Sequence, residues 1–354
     1  MKFDISFYKG KRVFVTGHTG FKGVWLCKIL VDAGAAVTGY ALDPPTNPSL
    51  FELLKMENEM SSIIGDIRDY PSLADAFNRA EPEIVFHLAA QPLVRESYVN
   101  PAYTYETNVM GTVNILECVR QSRHVESVLN VTSDKVYLNC EQDCGHRESD
   151  KLDGYDPYSN SKSCSELVTH SYKRSFFDGV GIAVSTARAG NVIGGGDFAK
   201  DRILPDCVRA VRSGKEITVR NPSSIRPYQY VLEPICAYLL IAARQYHDKT
   251  LSGSYNVGPD DRDCVTTGAL ADLFCKTWGE GASWRSVPEK DAPHETSLLK
   301  LDCSKIKHAL NWTPKWRIDT AVEKTAAWYK SYLAGEDLNA KTREQIREYL
   351  DFEG

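Results

Sequence analysis

The chain has 354 residues, 42% of them hydrophobic and 25% charged, with a formal net charge of −5. That length buries a full core in one large or two moderate domains. The charge argues against nucleic acid as a partner, because a phosphate backbone calls for a basic surface. No apolar run approaches the ~20 residues that cross a bilayer, and no apolar leader follows Met1, so a cytoplasmic protein without a membrane partner is expected. The ten cysteines are scattered and read as reduced thiols. Cys140, Cys144 and His146 fit no strong zinc spacing, so no metal is expected.

Residues 11–17 are a short β-branched run ending in glycine and predict a buried first strand. Gly17, Gly20 and Gly23 follow, then a helical pattern from Val24. Strand, glycine turn and helix together predict a dinucleotide site, with the pyrophosphate at the helix N-terminus. Residues 35–42 are a second strand. Asp43 lies just beyond it as a candidate for the adenosine ribose, and the lack of a cation there favours NAD over NADP. Residues 62–69 predict a third strand and turn, placing Asp66 to accept from an adenine amino group or to cap the helix from Tyr70. Residues 83–90 are a fourth strand with small residues at its end, and His87 reads as a packed strand residue.

A long apolar helix is expected from Asn108. Residues 128–133 predict a fifth strand that delivers Thr132, Ser133, Asp134 and Lys135 to the site. The polar stretch 138–154 is expected as a loop over it. A helix then carries Tyr158 and Lys162 to about Phe177. Their spacing of four places both on one face, where an ammonium beside a phenol favours the phenolate and so a general base. Residues 181–188 are a sixth strand. The alternation predicts an α/β fold with a doubly wound parallel sheet of Rossmann type. A smaller C-terminal α/β domain for substrate follows. The expected division is 1–188 with a returning segment near 229–258 for the dinucleotide, and 189–228 with 259–354 for the substrate. Arg202 and Arg226, in loops of the second part, are candidate diphosphate clamps. An amphipathic helix is expected over 320–332, and the charged last twenty residues receive no function.

The glycine motif, residues 87–90, Asn108 and Tyr158-x-x-x-Lys162 resemble the extended short-chain dehydrogenase/reductases of the NAD-dependent epimerase/dehydratase family. Residues 17–23, 132–135, 155–162, 188–197, 225–227, 293–295 and 299–305 are similar to the CDP-glucose 4,6-dehydratases within it. The resemblance implies NAD, CDP-glucose as substrate, a product that feeds deoxysugars into bacterial surface polysaccharide such as O-antigen, and a homodimer through the helices of Asn108 and Tyr158. It implies that Gly17, His18, Thr19, Gly20, Phe21, Gly23, Asp66, Ile67, Leu88, Ala89, Ala90, Asn108, Tyr158 and Lys162 hold NAD. Gln91, Asn191, Arg202, Arg226 and His294 would contact substrate, with Asn191 and the two arginines at its diphosphate. One departure lies in loop 138–153, where the family often has tryptophans and this chain has residues 140–146 without one.

The implied reaction oxidises C4, eliminates water across C5 and C6, and returns hydride to C6. Tyr158 takes the C4 hydroxyl proton, Ser133 bonds that oxygen and Lys162 holds the phenolate. Elimination needs an acid and a base, and relatives often have Asp then Glu where this chain has Asp134 and Lys135. Either a neutral Lys135 is the base and protonated Asp134 the acid, or Lys135 is a cation and Asp134 does both. A nucleotide-sugar 4-epimerase would need Tyr158, Lys162 and NAD but no acid at C6. A dehydratase acting on another nucleotide sugar would share the whole set. A non-catalytic NAD-binding sensor or scaffold would need neither Tyr158 nor Lys162.

Overall fold

The structure, a computed structural model, describes residues 4–139, 144–287 and 298–351. Cys140 and His294 lie outside the described residues. The β-branched runs form β1 (Arg12–Thr16), β2 (Ala36–Ala41), β3 (Ser61–Ile64), β4 (Ile84–His87), β5 (Ser127–Val131) and β6 (Ala183–Ala189). Short strands β7 (Val192–Ile193), β8 (Ile217–Val219), β9 (Ile225–Arg226) and β10 (Gln229–Tyr230) follow. The chain then returns with β11 (Ser254–Val257) before β12 (Val265–Thr266) and β13 (Trp284–Ser286).

Seven strands make one parallel sheet in the order β11-β6-β5-β4-β1-β2-β3. A parallel sheet needs cover on both faces because its crossover helices lie there. Alternation along each strand divides the side chains between two cores. Val13, Val15, Ile84, Phe86, Leu129 and Val131 face a core shared with Trp25, Leu26 and Leu239. Phe14, Val85, Val128 and Val184 face the other, with Leu73, Phe77, Ile115 and Leu116. Each fully buried aliphatic side chain of this kind contributes about 1.5–3 kcal/mol.

The helix Phe21–Asp32 is buried along nearly its whole length, Gly23 to Leu30. It lies between the sheet and the C-terminal region, so its sequence lacks a polar stripe. The helix expected from Asn108 begins earlier. Helices Pro101–Tyr105 and Gly111–Gln121 are joined through a π-helical turn, Glu106–Met110, that carries Asn108. The Tyr158 helix is α-helical over Pro157–Tyr172 and ends in a second π-helical turn, Lys173–Phe177. Its start is fixed by Pro157 in the first turn and by Asp156, whose carboxylate accepts from Ser159 N at 3.0 Å and Ser159 Oγ at 2.6 Å.

Beyond β6 the small strands pair as β7 with β10, β9 with β12 and β8 with β13. Helices Ile203–Arg212, Thr267–Trp278 and Ile318–Ala334 pack around them. The described chain ends in helix Leu338–Asp351. Tyr349 donates to buried Glu233 at 2.6 Å, and Glu233 also accepts from Trp316 N at 2.7 Å. Burial pushes the Glu233 carboxyl up to about 7 against those bonds.

Candidate active site

The carboxyl ends of β5 and β6, with Lys22 on the helix after β1 and residues 92–96 beyond β4, line one cleft of about 1430 Å³ on the side of the sheet where doubly wound folds bind ligands. At the end of β1, Gly17 has φ +78°, and a Cβ there would lie 2.7 Å from Ala89 N. A Cβ on Gly23 would lie 2.1 Å from Gly17 O, so these two glycines let helix and turn close on each other. Gly20 differs: a Cβ there meets nothing nearer than Gly17 O at 3.4 Å. It caps the helix with extended backbone and no side-chain bond. Internal packing therefore leaves open space at the helix N-terminus, which suits an approaching phosphate.

The neighbouring side chains mostly serve the fold. His18 turns inward, with Nε2 bonded to Ser62 Oγ at 2.7 Å. Burial lowers its ring to about 4, so it is neutral. Thr19 donates to Leu42 O at 2.9 Å, and Phe21 packs against the core. Leu88 N and Ala89 N both donate to Thr16 Oγ1 at 3.2 Å, which fixes the strand end that Ala90 continues. His87 is a packed strand residue, held by Thr16 and Thr112. Asp66 is held by Arg68, whose guanidinium at 2.7 Å keeps the carboxyl below its usual range. The helix from Tyr70 is capped by Asp69, not Asp66. Ile67 packs under Gly111. Asp43 is exposed in the loop after β2. Asn108 accepts from Gln91 N at 2.8 Å and donates to Ser161 Oγ at 2.9 Å, tying the β4 loop to the Tyr158 helix.

Ser133, Asp134, Lys135 and Tyr158 all line the cleft. Asp134 is fully buried. Its Oδ1 accepts from Ser133 Oγ at 3.0 Å and Lys135 Nζ at 3.1 Å, whereas Oδ2 has no hydrogen-bond partner among the described residues. Gly190 makes room for it: a Cβ there would overlap Oδ2 at 1.8 Å. The Tyr158–Lys162 pair corrects the sequence reading. Burial pushes the Tyr158 phenol up to about 12, with a hydrogen bond from Ser133 opposing. Burial also brings the Lys162 amine down to about 8, and Nζ donates to Val131 O at 3.1 Å. Desolvation is the largest cause of both shifts, and the cation that lowers the phenol is Arg202.

Asn191, Arg202 and Arg226 line the same cleft. Asn191 has φ +41° and a buried Oδ1 with no partner among the described residues. Arg202 is bonded to Asp197 at 3.1 Å. Gln91 is not brought to this surface: its amide is spent on Leu93 O, Leu93 N and Thr104 within its own loop. Of the expected covering loop, Leu138, Asn139, Asp153 and Gly154 line the cleft. His146 instead lies flat on Tyr137, 4.8 Å between ring centres, and its backbone pairs with residues 300 and 302. The described residues contain no cluster of His, Cys, Asp or Glu able to hold a metal.

Two residues escaped the sequence reading. Lys22, inside the glycine motif, lines the cleft. Burial and the charges of Lys162 and Arg202 bring its amine down to about 7, with Asp134 opposing. Its signal was a lysine where the turn needs only backbone. Glu166 lies one turn beyond Lys162 and accepts from Arg188 at 2.8 Å, with both side chains about 3% exposed or less. Removing one partner of such a pair costs about 3–5 kcal/mol.

The fold and site now meet their relatives. The chain belongs to the GDP-mannose 4,6 dehydratase family, whose pattern matches residues 14–325. It is 48% identical over 353 residues to the CDP-glucose 4,6-dehydratase of Salmonella typhimurium, covering 98% of each chain. In fold it is similar to the dTDP-glucose 4,6-dehydratase of Bacillus anthracis solved with NAD, at 19% identity and a TM-score of 0.76 over 92% of this chain and 99% of that one. The UDP-glucose 4-epimerase of Thermotoga maritima solved with UDP-glucose gives 22% identity and a TM-score of 0.78, covering 91% and 99%.

Proposed function

We propose that the protein converts CDP-glucose to CDP-4-keto-6-deoxyglucose with loss of water, using NAD. The observation that carries this reading is Asp134. It is a fully buried carboxyl beside Lys135, facing the same cleft as Tyr158 and keeping one oxygen without a partner among the described residues. A C4 redox step needs no such group, and eliminating a C6 hydroxyl does. The choice of cytidine rests on the 48% identity to the Salmonella enzyme.

The open space at Gly20 and the helix behind it fit a dinucleotide diphosphate. NAD bound there would take the C4 hydride and return it at C6. The phenolate form of Tyr158 takes the C4 hydroxyl proton and becomes the phenol, while Ser133 donates to that oxygen. Lys162, anchored on Val131 O, supplies the cation that stabilises this phenolate before the transfer. Asp134 and Lys135, 3.1 Å apart, supply between them the acid for the departing C6 hydroxyl and the base for the C5 proton, and a proton returns to C5 as hydride reaches C6. Asn191, Arg202 and Arg226 hold the substrate diphosphate, a role supported by their lining of the cleft.

Cofactor binding is assigned to residues 1–188 with 229–258, and substrate binding to 189–228 with 259–354. A homodimer through the Asn108 and Tyr158 helices would cover the exposed apolar residues Met110, Leu167 and Phe176. The nine described cysteines are free thiols, and no described helix is long and apolar enough to cross a membrane, which accords with a cytoplasmic enzyme. Incubation with CDP-, UDP-, dTDP- and GDP-glucose, read by mass, tests the reading. Loss of one water from CDP-glucose is expected. A new sugar of unchanged mass would mean an epimerase, and turnover of a different nucleotide would displace cytidine.

A further inference from the structure

The catalytic turn at the end of β5 is held from behind by Lys162, Glu166 and Arg188, none of which lines the cleft. Lys162 Nζ donates to Val131 O at 3.1 Å. Thr132 Oγ1, the next residue, donates to Glu166 Oε1 at 2.5 Å. The other carboxylate oxygen of Glu166 accepts from Thr186 Oγ1 at 2.7 Å and Arg188 Nη2 at 2.8 Å on β6. Arg188 in turn donates through Nη1 to Tyr137 Oη at 2.8 Å and Glu148 O at 3.1 Å, just past the catalytic turn. Glu166 is therefore the point where the Tyr158 helix, the catalytic turn and β6 are fastened together. It sits on the helix face that carries Lys162 one turn earlier.

We propose that Glu166, backed by Arg188, is a positioning residue of the reaction: it fixes the turn bearing Ser133, Asp134 and Lys135 through Thr132, and its charge supports the ammonium of Lys162. The inference rests on the dehydratase reading of the site. A turn clamped at two successive residues cannot shift its Ser133 and Asp134 side chains without breaking a buried bond, and that is the kind of placement on which rate depends. The charged and titratable groups around Lys162 are Glu166 on its own helix, Lys22 on the helix after β1, His87 on β4 and Tyr158. Among these Glu166 opposes the loss of the Lys162 proton that burial favours. Around Glu166 stand Arg188, Tyr137 and His170.

The two parts of the role separate by substitution. Glu166→Gln removes the charge and with it the charge-assisted grip on Thr132 and Arg188, leaving a single neutral amide oxygen as acceptor. kcat should fall about 10- to 100-fold with KM for the nucleotide sugar within about twofold. The alkaline limb of the rate profile should move to lower pH, because Lys162 loses its nearby anion and deprotonates earlier. Thr132→Val removes the anchoring hydroxyl and keeps the charge. It should lower kcat about 5- to 20-fold, leave the limb in place, and be restored by Thr132→Ser. Should Glu166→Gln fail to fold, the Thr132 series decides alone. Wild-type kcat and limb in Glu166→Gln, wild-type kcat in Thr132→Val, or a lowered melting temperature with unchanged kcat per folded molecule would each overturn the proposal and leave Glu166 a purely structural ion pair. Each variant is compared with the wild-type chain on whichever nucleotide sugar that chain turns over, so a different substrate would correct the proposed function and leave this test standing.

Discussion

At the scale of single residues the site is governed by desolvation. Tyr158 is a phenol held near 12 and Lys162 an amine near 8, so at neutral pH the pair is phenol plus ammonium. Stabilising the phenolate that takes the C4 proton requires the ammonium. Turnover should therefore fall as pH rises through about 8, and a profile flat from roughly pH 7 to 9.5 would contradict that role for Lys162. Lys22 makes a different prediction. Its amine is lowered from 10.5 to about 7, so between those values the unfolded chain binds more protons than the folded one, and stability rises with pH across that window. Lys22→Met removes the penalty. Its melting temperature should exceed wild type by roughly 2–4 °C near pH 7, with the gain shrinking toward pH 10, while turnover falls. A residue kept at a cost to stability, inside a turn that needs only its backbone, is one the site uses.

At the scale of elements the glycine turn divides into packing and ligand space. Gly23→Ala drives a methyl into Gly17 O and should leave little folded protein. Gly20→Ala meets only a 3.4 Å contact and should melt within about 2 °C of wild type while binding NAD at least 10-fold more weakly, measured by calorimetry. All three glycines were visible in the sequence, as were the six strands and the placing of Ser133, Asp134 and Lys135 at the end of β5. Their separate duties were not, because those depend on which backbone lies opposite each Cβ. The same limit explains other misses. Asn108 and Phe177 lie in π-helical turns that local periodicity does not encode, so both helices were drawn too simply. Gln91 is polar and close to the site in sequence, yet its loop consumes its amide. Gly190 passed as part of a motif, and only the packed structure shows that it vacates the space Asp134 fills. The Tyr158–Lys162 spacing was legible, but its electrostatics were reversed by burial, which spacing does not report.

At the scale of the whole molecule the C-terminal helix closes the structure. Besides the Tyr349 bond to Glu233, Arg343 reaches Asp32 at 3.0 Å and Glu59 at 3.3 Å, and Trp328 Nε1 donates to Thr342 at 3.1 Å. Ending the chain before Leu338 should lower the melting temperature by at least roughly 5 °C, with the loss measured by calorimetry. It should also change the pH response. With its carboxyl raised from 4.5 to about 7, Glu233 binds more protons folded than unfolded in that window, so its contribution to stability declines as pH rises through it. Once the helix is gone, water reaches Glu233 and that slope should flatten. The position of β11 has a further consequence, for the order of synthesis. The strand that covers the edge of β6 is made some sixty residues after it. Helix Leu232–His247, whose backbone accepts from Tyr8 and Ser127, also emerges late. A nascent chain ending at β6 therefore exposes an open sheet edge and one apolar face only partly covered by helix Phe21–Asp32. The first half of this protein waits on the ribosome for the second, and it is during that wait that a chaperone would find its target.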